Sequence, residues 1–113
     1  MGFEENLNAI LQYDHVEGVI FLDSEGEEVF SFGKLEHDQM KAMGAYQGIV
    51  LNTIQRLELG QSRSVITRCG NRSILTQNLK FGYFVCVLFS PDANLARAQF
   101  QLQDYFVAIN KEL

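Results

Sequence analysis

The sequence predicts an α+β sandwich, in broad class an α/β protein. One five-stranded, antiparallel-rich sheet carries helices on both faces, in the order α-β-β-α-β-β-β-α. Three observations predict it. Two pairs of apolar runs are each joined by a short polar connection, the mark of antiparallel hairpins. A stretch of helical periodicity long enough to cross a sheet separates the two pairs. Helical patterns also stand near both ends of the chain, so each face of the sheet has a cover available.

The elements follow in order. Phe3, Leu7, Ile10 and Leu11 recur at i, i+4, i+7 and i+8, the stripe of a short amphipathic helix. Val16 to Leu22 is apolar on both alternating faces, which suits a strand covered on two sides. Asp23-Ser24-Glu25-Gly26 supplies a turn, with Gly26 free to take positive φ, and Glu27 to Phe32 returns as the second strand before Gly33. A long helix is predicted from Asp38, its N-cap, to Leu59, with Gly60 as its stop. Strands are predicted over Ser62 to Cys69, Arg72 to Asn78 and Tyr83 to Phe89. The last is the most apolar run in the chain and is placed at the sheet centre. Ser90 is read as the cap of the final helix, with Pro91 at its first position, Asp92 near its positive end, and Leu95, Ala98, Leu102, Phe106 and Ile109 as its buried stripe.

Size and charge narrow the function. A chain of 113 residues is read as one domain, residues 1–113, and its 47% hydrophobic and 20% charged content excludes a disordered chain. The formal charge of −5 argues against a nucleic-acid partner, which requires clustered Lys and Arg. Residues 1–60 hold eleven acids against Lys34, Lys41 and Arg56, a net of −8; residues 61–113 hold three acids against six bases, a net of +3. Such asymmetry steers protein partners. With neither a targeting segment in residues 1–13 nor a membrane-spanning run, the expectation is a cytoplasmic protein without membrane insertion. Cys69 and Cys86 are read as buried reduced thiols, and the sequon Asn71-Arg72-Ser73 has no meaning in that compartment.

A search for chemistry points away from catalysis. His15 and His37 are the only imidazoles, one in a connection and one before a helix. No serine stands in a nucleophile turn, and no glycine-rich phosphate loop is present. Glu36, His37 and Asp38 form at most a weak cation site, and Asp23 to Glu28 lacks the spacing of a calcium loop. The chain is read as a non-enzyme with neither a metal nor another cofactor.

Two features suggest interaction instead. The long helix must cross the sheet, which leaves strand three at an edge, and Arg63-Ser64-Val65-Ile66-Thr67-Arg68 contains no Pro, Gly or Lys to blunt pairing. Wound at 100° per residue, the helix places Met43, Tyr46, Val50, Thr53, Ile54 and Leu57 toward the sheet. That phase puts Gly44 and Gly48 outward, with Lys41, Asn52 and Gln55. Ala42, Ala45 and Ile49 on one flank, and Met40 and Leu51 on the other, widen the apolar surface.

Val16-Glu17-Gly18-Val19-Ile20-Phe21-Leu22-Asp23, followed by Glu25-Gly26-Glu27-Glu28-Val29, is similar to the opening of roadblock/dynein light chain domains. The long helix with small residues, three strands ending in an apolar run, and Pro91-Asp92-Ala93-Asn94-Leu95-Ala96-Arg97 extend the resemblance over nearly the whole chain, although Ala96 stands where the family often has glycine. The resemblance implies a roadblock/profilin-like fold and a homodimer formed through third strands and long helices. It further implies a non-catalytic regulator or scaffold that binds a Ras-like small GTPase and modulates its hydrolysis or localisation, as in the gliding-motility regulator branch. Transposed onto this chain, Gly44, Gln47, Gly48, Leu51, Asn52 and Gln55 would meet the GTPase. Val65, Ile66, Thr67 and Arg68, with Ala45 and Ile49, would meet the second copy. Two alternatives stay open: a small-molecule sensor with Phe21, Phe30, Phe32, Phe84 and Phe89 around a pocket, and a structural subunit binding peptide at the strand-three edge.

Overall fold

A computed structural model describes residues 2–33, 36, 38–44, 48, 64–69 (the backbone alone at Cys69) and 71–113. Helix α1 (Phe3–Leu11) leads into strand β1 (Val16–Leu22), which turns back as β2 (Glu28–Gly33). Helix α2 includes residues 38–44 and residue 48. Strands β3 (Ser64–Cys69), β4 (Arg72–Asn78) and β5 (Phe84–Phe89) follow, then helices α3 (Leu95–Gln101) and α4 (Gln103–Lys111). The five strands form one sheet in the order β2-β1-β5-β4-β3, and every neighbouring pair is antiparallel. The apolar run of β5 is the central strand, as its composition requires, and all six of its residues are buried.

Alternation along the strands divides the core in two. Val19 and Phe21 of β1, Leu75 of β4, and Val85, Val87 and Phe89 of β5 pack on one face against α1, α3 and α4. There Ala98, Leu102, Phe106 and Ile109 form a buried stripe along the C-terminal helices, while Leu95 is half-buried. Ile20, Leu22, Ile74, Phe84, Cys86 and Leu88 point to the other face, where Met40 of α2 is buried among them. Strands covered on both faces explain why β1 and β5 read as continuous apolar runs.

The C-terminal helical segment starts later than its sequence suggests. Pro91 and Asp92 lie in a turn, and Asn94 is the cap: its side-chain oxygen accepts the Arg97 backbone N–H at 3.1 Å. Ser90 turns its hydroxyl toward His15 Nδ1 at 3.4 Å, and its N–H donates to the His15 carbonyl at 2.9 Å, tying this turn to the α1–β1 connection. α3 and α4 meet at Leu102, whose φ of −83° and ψ of −7° stay in the helical region and whose N–H bonds to the Ala98 carbonyl at 2.9 Å. No helix among the described residues is long and apolar enough to cross a membrane.

Candidate interaction surface: the β3 edge and the α2 face

β3 is the terminal strand on its side of the sheet. It pairs with β4 from Ser64↔Gln77 to Cys69↔Arg72, and among the described residues no strand lies on its outer side. Val65 turns toward the α2 face and packs on the core there. Ile66 is 39% exposed, Thr67 is half-buried and Arg68 is exposed. One end of the strand is held by α3, because Gln99 Nε2 donates to Ser64 Oγ at 2.6 Å. The candidate residues Val65, Ile66, Thr67 and Arg68 thus lie together on a terminal strand that has, among the described residues, no strand on its outer side, the position at which another strand adds to a sheet.

The α2 face departs from the sequence expectation. Gly44 and Gly48 are buried and turned toward the sheet, not outward. A β-carbon at Gly44 would lie 2.7 Å from Leu22 Cδ1, and one at Gly48 would overlap the Phe84 ring. Met40, Gly44 and Gly48 therefore form the sheet-facing row at i, i+4 and i+8. The Met40 sulfur sits over the Gly18↔Gly33 strand pair, 2.7 Å from where a Gly18 β-carbon would be. The physical reason is close approach: absent side chains on both layers bring helix backbone down onto the strands, so these glycines serve packing. Lys41 and Ala42 are exposed on α2, while Met43 is half-buried against the core. Of the other candidate positions, Ala45, Gln47, Ile49, Leu51, Asn52 and Gln55 lie outside the described residues, as does His37.

Arg72 does not stand free beside Arg68: its Nε donates to Glu17 Oε1 at 2.6 Å, an ion pair between β4 and β1 at the same end of the sheet. This partnership links positions 55 residues apart, which a local reading cannot find. Exposed Arg68 remains the cationic side chain of β3.

The aromatic set does not surround a space. Phe21 stacks on Phe3, Phe30 and Tyr83 on the α1/α4 side, and Phe30 stacks on Phe32. Phe84 belongs to the opposite face. Phe21, Phe84 and Phe89 are at most 2% exposed, so this set packs two separate cores. Cys86 is a buried free thiol. Burial pushes its pKa up to about 12, partly opposed by Thr76, whose hydroxyl stands 3.6 Å from the sulfur. His15, at φ 68°, has Nδ1 3.4 Å from Ser90 Oγ and lines a cleft of about 390 Å³ with Tyr13, Asp92, Asn94, Arg97 and Gln101. Among the described residues, no three His, Cys, Asp or Glu side chains are grouped to hold a metal ion.

Together these features define an α+β sandwich with β3 as a terminal strand and a glycine-seated helix on one face. That fold is the fold of Roadblock/LC7 domains. The chain superposes on the Roadblock/LC7 domain from Streptomyces avermitilis with a TM-score of 0.77 at 15% identity, covering 98% of this chain and 97% of that one. Myxococcus xanthus MglB matches with a TM-score of 0.79 at 10% identity, over 96% of this chain and 92% of that one. Myxococcus xanthus MglC matches over the full length of both chains, with a TM-score of 0.72 and 19% identity. No protein-family profile and no curated protein sequence matches the chain.

Proposed function

We propose that this chain is a non-catalytic homodimeric regulator that binds a Ras-like small GTPase and modulates its hydrolysis or localisation in the cytoplasm. The observation that carries the reading is the outer edge of β3, an unblunted terminal strand in a fold shared with MglB and MglC. Two copies pairing antiparallel through β3 continue the sheet across a two-fold axis and bring both α2 helices to the same face. Ala45 and Ile49 would add helix contacts to those of Val65, Ile66, Thr67 and Arg68. The GTPase would meet the exposed side of the paired α2 helices, where Lys41 and Ala42 are exposed, with Gln47, Leu51, Asn52 and Gln55 as further candidates. Gly44 and Gly48 have no place in that contact, because they face the sheet.

The test has two stages. Light scattering behind a sizing column gives the mass over a range of concentrations, and a monomer throughout overturns the dimer. Purified Ras-like GTPases, loaded with GDP or a non-hydrolysable GTP analogue, are then mixed with the chain and resolved on the same column. Co-elution that depends on the nucleotide, with altered phosphate release, is the expected result. Failure of every such GTPase in both nucleotide states to bind overturns the GTPase reading and leaves the dimer standing.

A further inference from the structure

The opposite edge of the sheet carries a separate feature. β2 is the terminal strand there, and among the described residues no strand pairs with its outer side. Beside it runs a shallow groove of about 560 Å³, lined by Gly2, Phe3, Glu4, Glu5, Phe30 and Glu112. The start of α1, the middle of β2 and the end of α4 build it. Aromatic rings form its base: Phe3 stacks on Phe21 with centroids 5.0 Å apart, and Phe21 stacks on Phe30 at 6.4 Å. Exposed Glu4, Glu5 and Glu112 form its rim, and among the described residues no Lys, Arg or His lines it.

We propose that the β2 edge and this groove bind an extended, basic segment of a partner protein, added to the sheet as a sixth strand. A strand laid beside β2 points every second side chain to the Phe30 side, into the groove. A Lys or Arg there lays its methylenes over the Phe3 and Phe30 rings and presents its charge to Glu4 and Glu112. The intervening side chains fall on the other face beside Val29, which is 42% exposed and offers an apolar contact. The β2 edge of a second copy is a poor occupant, because two acidic rims would meet, and a second copy's β3 edge is taken up in the dimer on which this point rests. The β3 edge carries exposed Arg68 and, among the described residues, no such anionic rim.

The test uses the whole chain and a fluorescein-labelled six-residue peptide of alternating Lys and Val, read by fluorescence anisotropy. Saturable binding is expected, and the E4K/E112K double variant should weaken it about tenfold. Reversing the exposed Asp104 on α4 with D104K should leave it unchanged. The wild-type chain supplies a readout that needs no variant: N-methylation of alternate peptide amides should abolish binding, and amide NMR shifts should move along Glu28–Gly33. The proposal is overturned by absent binding, or by an equal loss in D104K, which would mean general attraction to an acidic chain. It is also overturned by shifts confined to Ser64–Cys69, or by a mass change in E4K/E112K without peptide, which would make the groove a contact between copies.

Discussion

Gly48 shows how a residue without a side chain can constrain a fold. Adding a methyl group there gains about 1 kcal/mol of helix propensity but drives a β-carbon into Phe84, a ring 2% exposed with little room to turn. At Gly44 the nearest atom is the terminal methyl of Leu22 at 2.7 Å, which rotates more easily. Gly48→Ala should therefore destabilise the chain by about 1–2 kcal/mol in urea unfolding, whereas Gly44→Ala should lie near neutral. A Gly48→Ala midpoint at or above wild type would remove the glycine from the sheet-facing row. Cys86 makes a second residue-scale case. The folded chain keeps this thiol protonated up to about 12, while the unfolded chain releases the proton from 9.0 upward. Because the unfolded state then binds fewer protons, this contribution is constant below pH 9.0 and falls as pH rises toward 12, at a limiting slope of about 1.4 kcal/mol per unit. Unfolding midpoints measured across that range should show the slope, and Cys86→Ala should lack this part of it. In a Cys69→Ser background, Cys86 should also resist an aromatic disulfide reagent at pH 8 until the chain unfolds.

Among the elements, α3 depends on its first turn. Asn94 holds the Arg97 N–H, so Asn94→Ala should cost about 1 kcal/mol and Asn94→Asp should retain most of the cap. Faster amide exchange at Arg97 in the alanine variant would place the loss at this turn. Ser90-Pro91-Asp92 is the cap that the local pattern suggests, whereas Asn94 fills that place. The Ser90 hydroxyl faces His15 Nδ1, a partner 75 residues away that no local pattern contains. The strands were more legible, because alternation is local: Arg72 to Asn78 agrees in both bounds, and the apolar run at 84–89 is the central strand. The phase of α2 was misread because a hydrophobic stripe gives glycine no weight as a core residue, although here Met40, Gly44 and Gly48 are the contact row. The β3 edge followed from the crossing required of one helix. By contrast, the Glu17–Arg72 pair and the groove at Phe3, Phe30 and Glu112 join residues from distant parts of the chain, and their components carry no local mark.

For the whole molecule, the dimer reading has consequences that a monomeric sandwich would not share. A two-fold axis between paired β3 strands passes near the middle of Ser64–Cys69, so Ile66 of each copy comes close to the centre of the junction. An aspartate at that position is tolerated by the isolated chain, since Ile66 is already 39% exposed. In the paired sheet it sets two like charges near one another across the axis and removes apolar contact from both copies. The wild-type chain should therefore elute at about 26 kDa, twice the 12.8 kDa of one chain, with a Tm that rises with protein concentration. Ile66→Asp should elute as a monomer, with a Tm independent of concentration and a circular dichroism spectrum unchanged in shape. Val107→Asp provides the comparison, because Val107 is 51% exposed on α4, away from the edge, and its variant should keep the dimer mass. If both variants remain dimers, the copies associate elsewhere and β3 is not the junction. If only Ile66→Asp separates them, the junction is the continuous sheet, and the exposed side of α2 becomes the face on which to search for the GTPase.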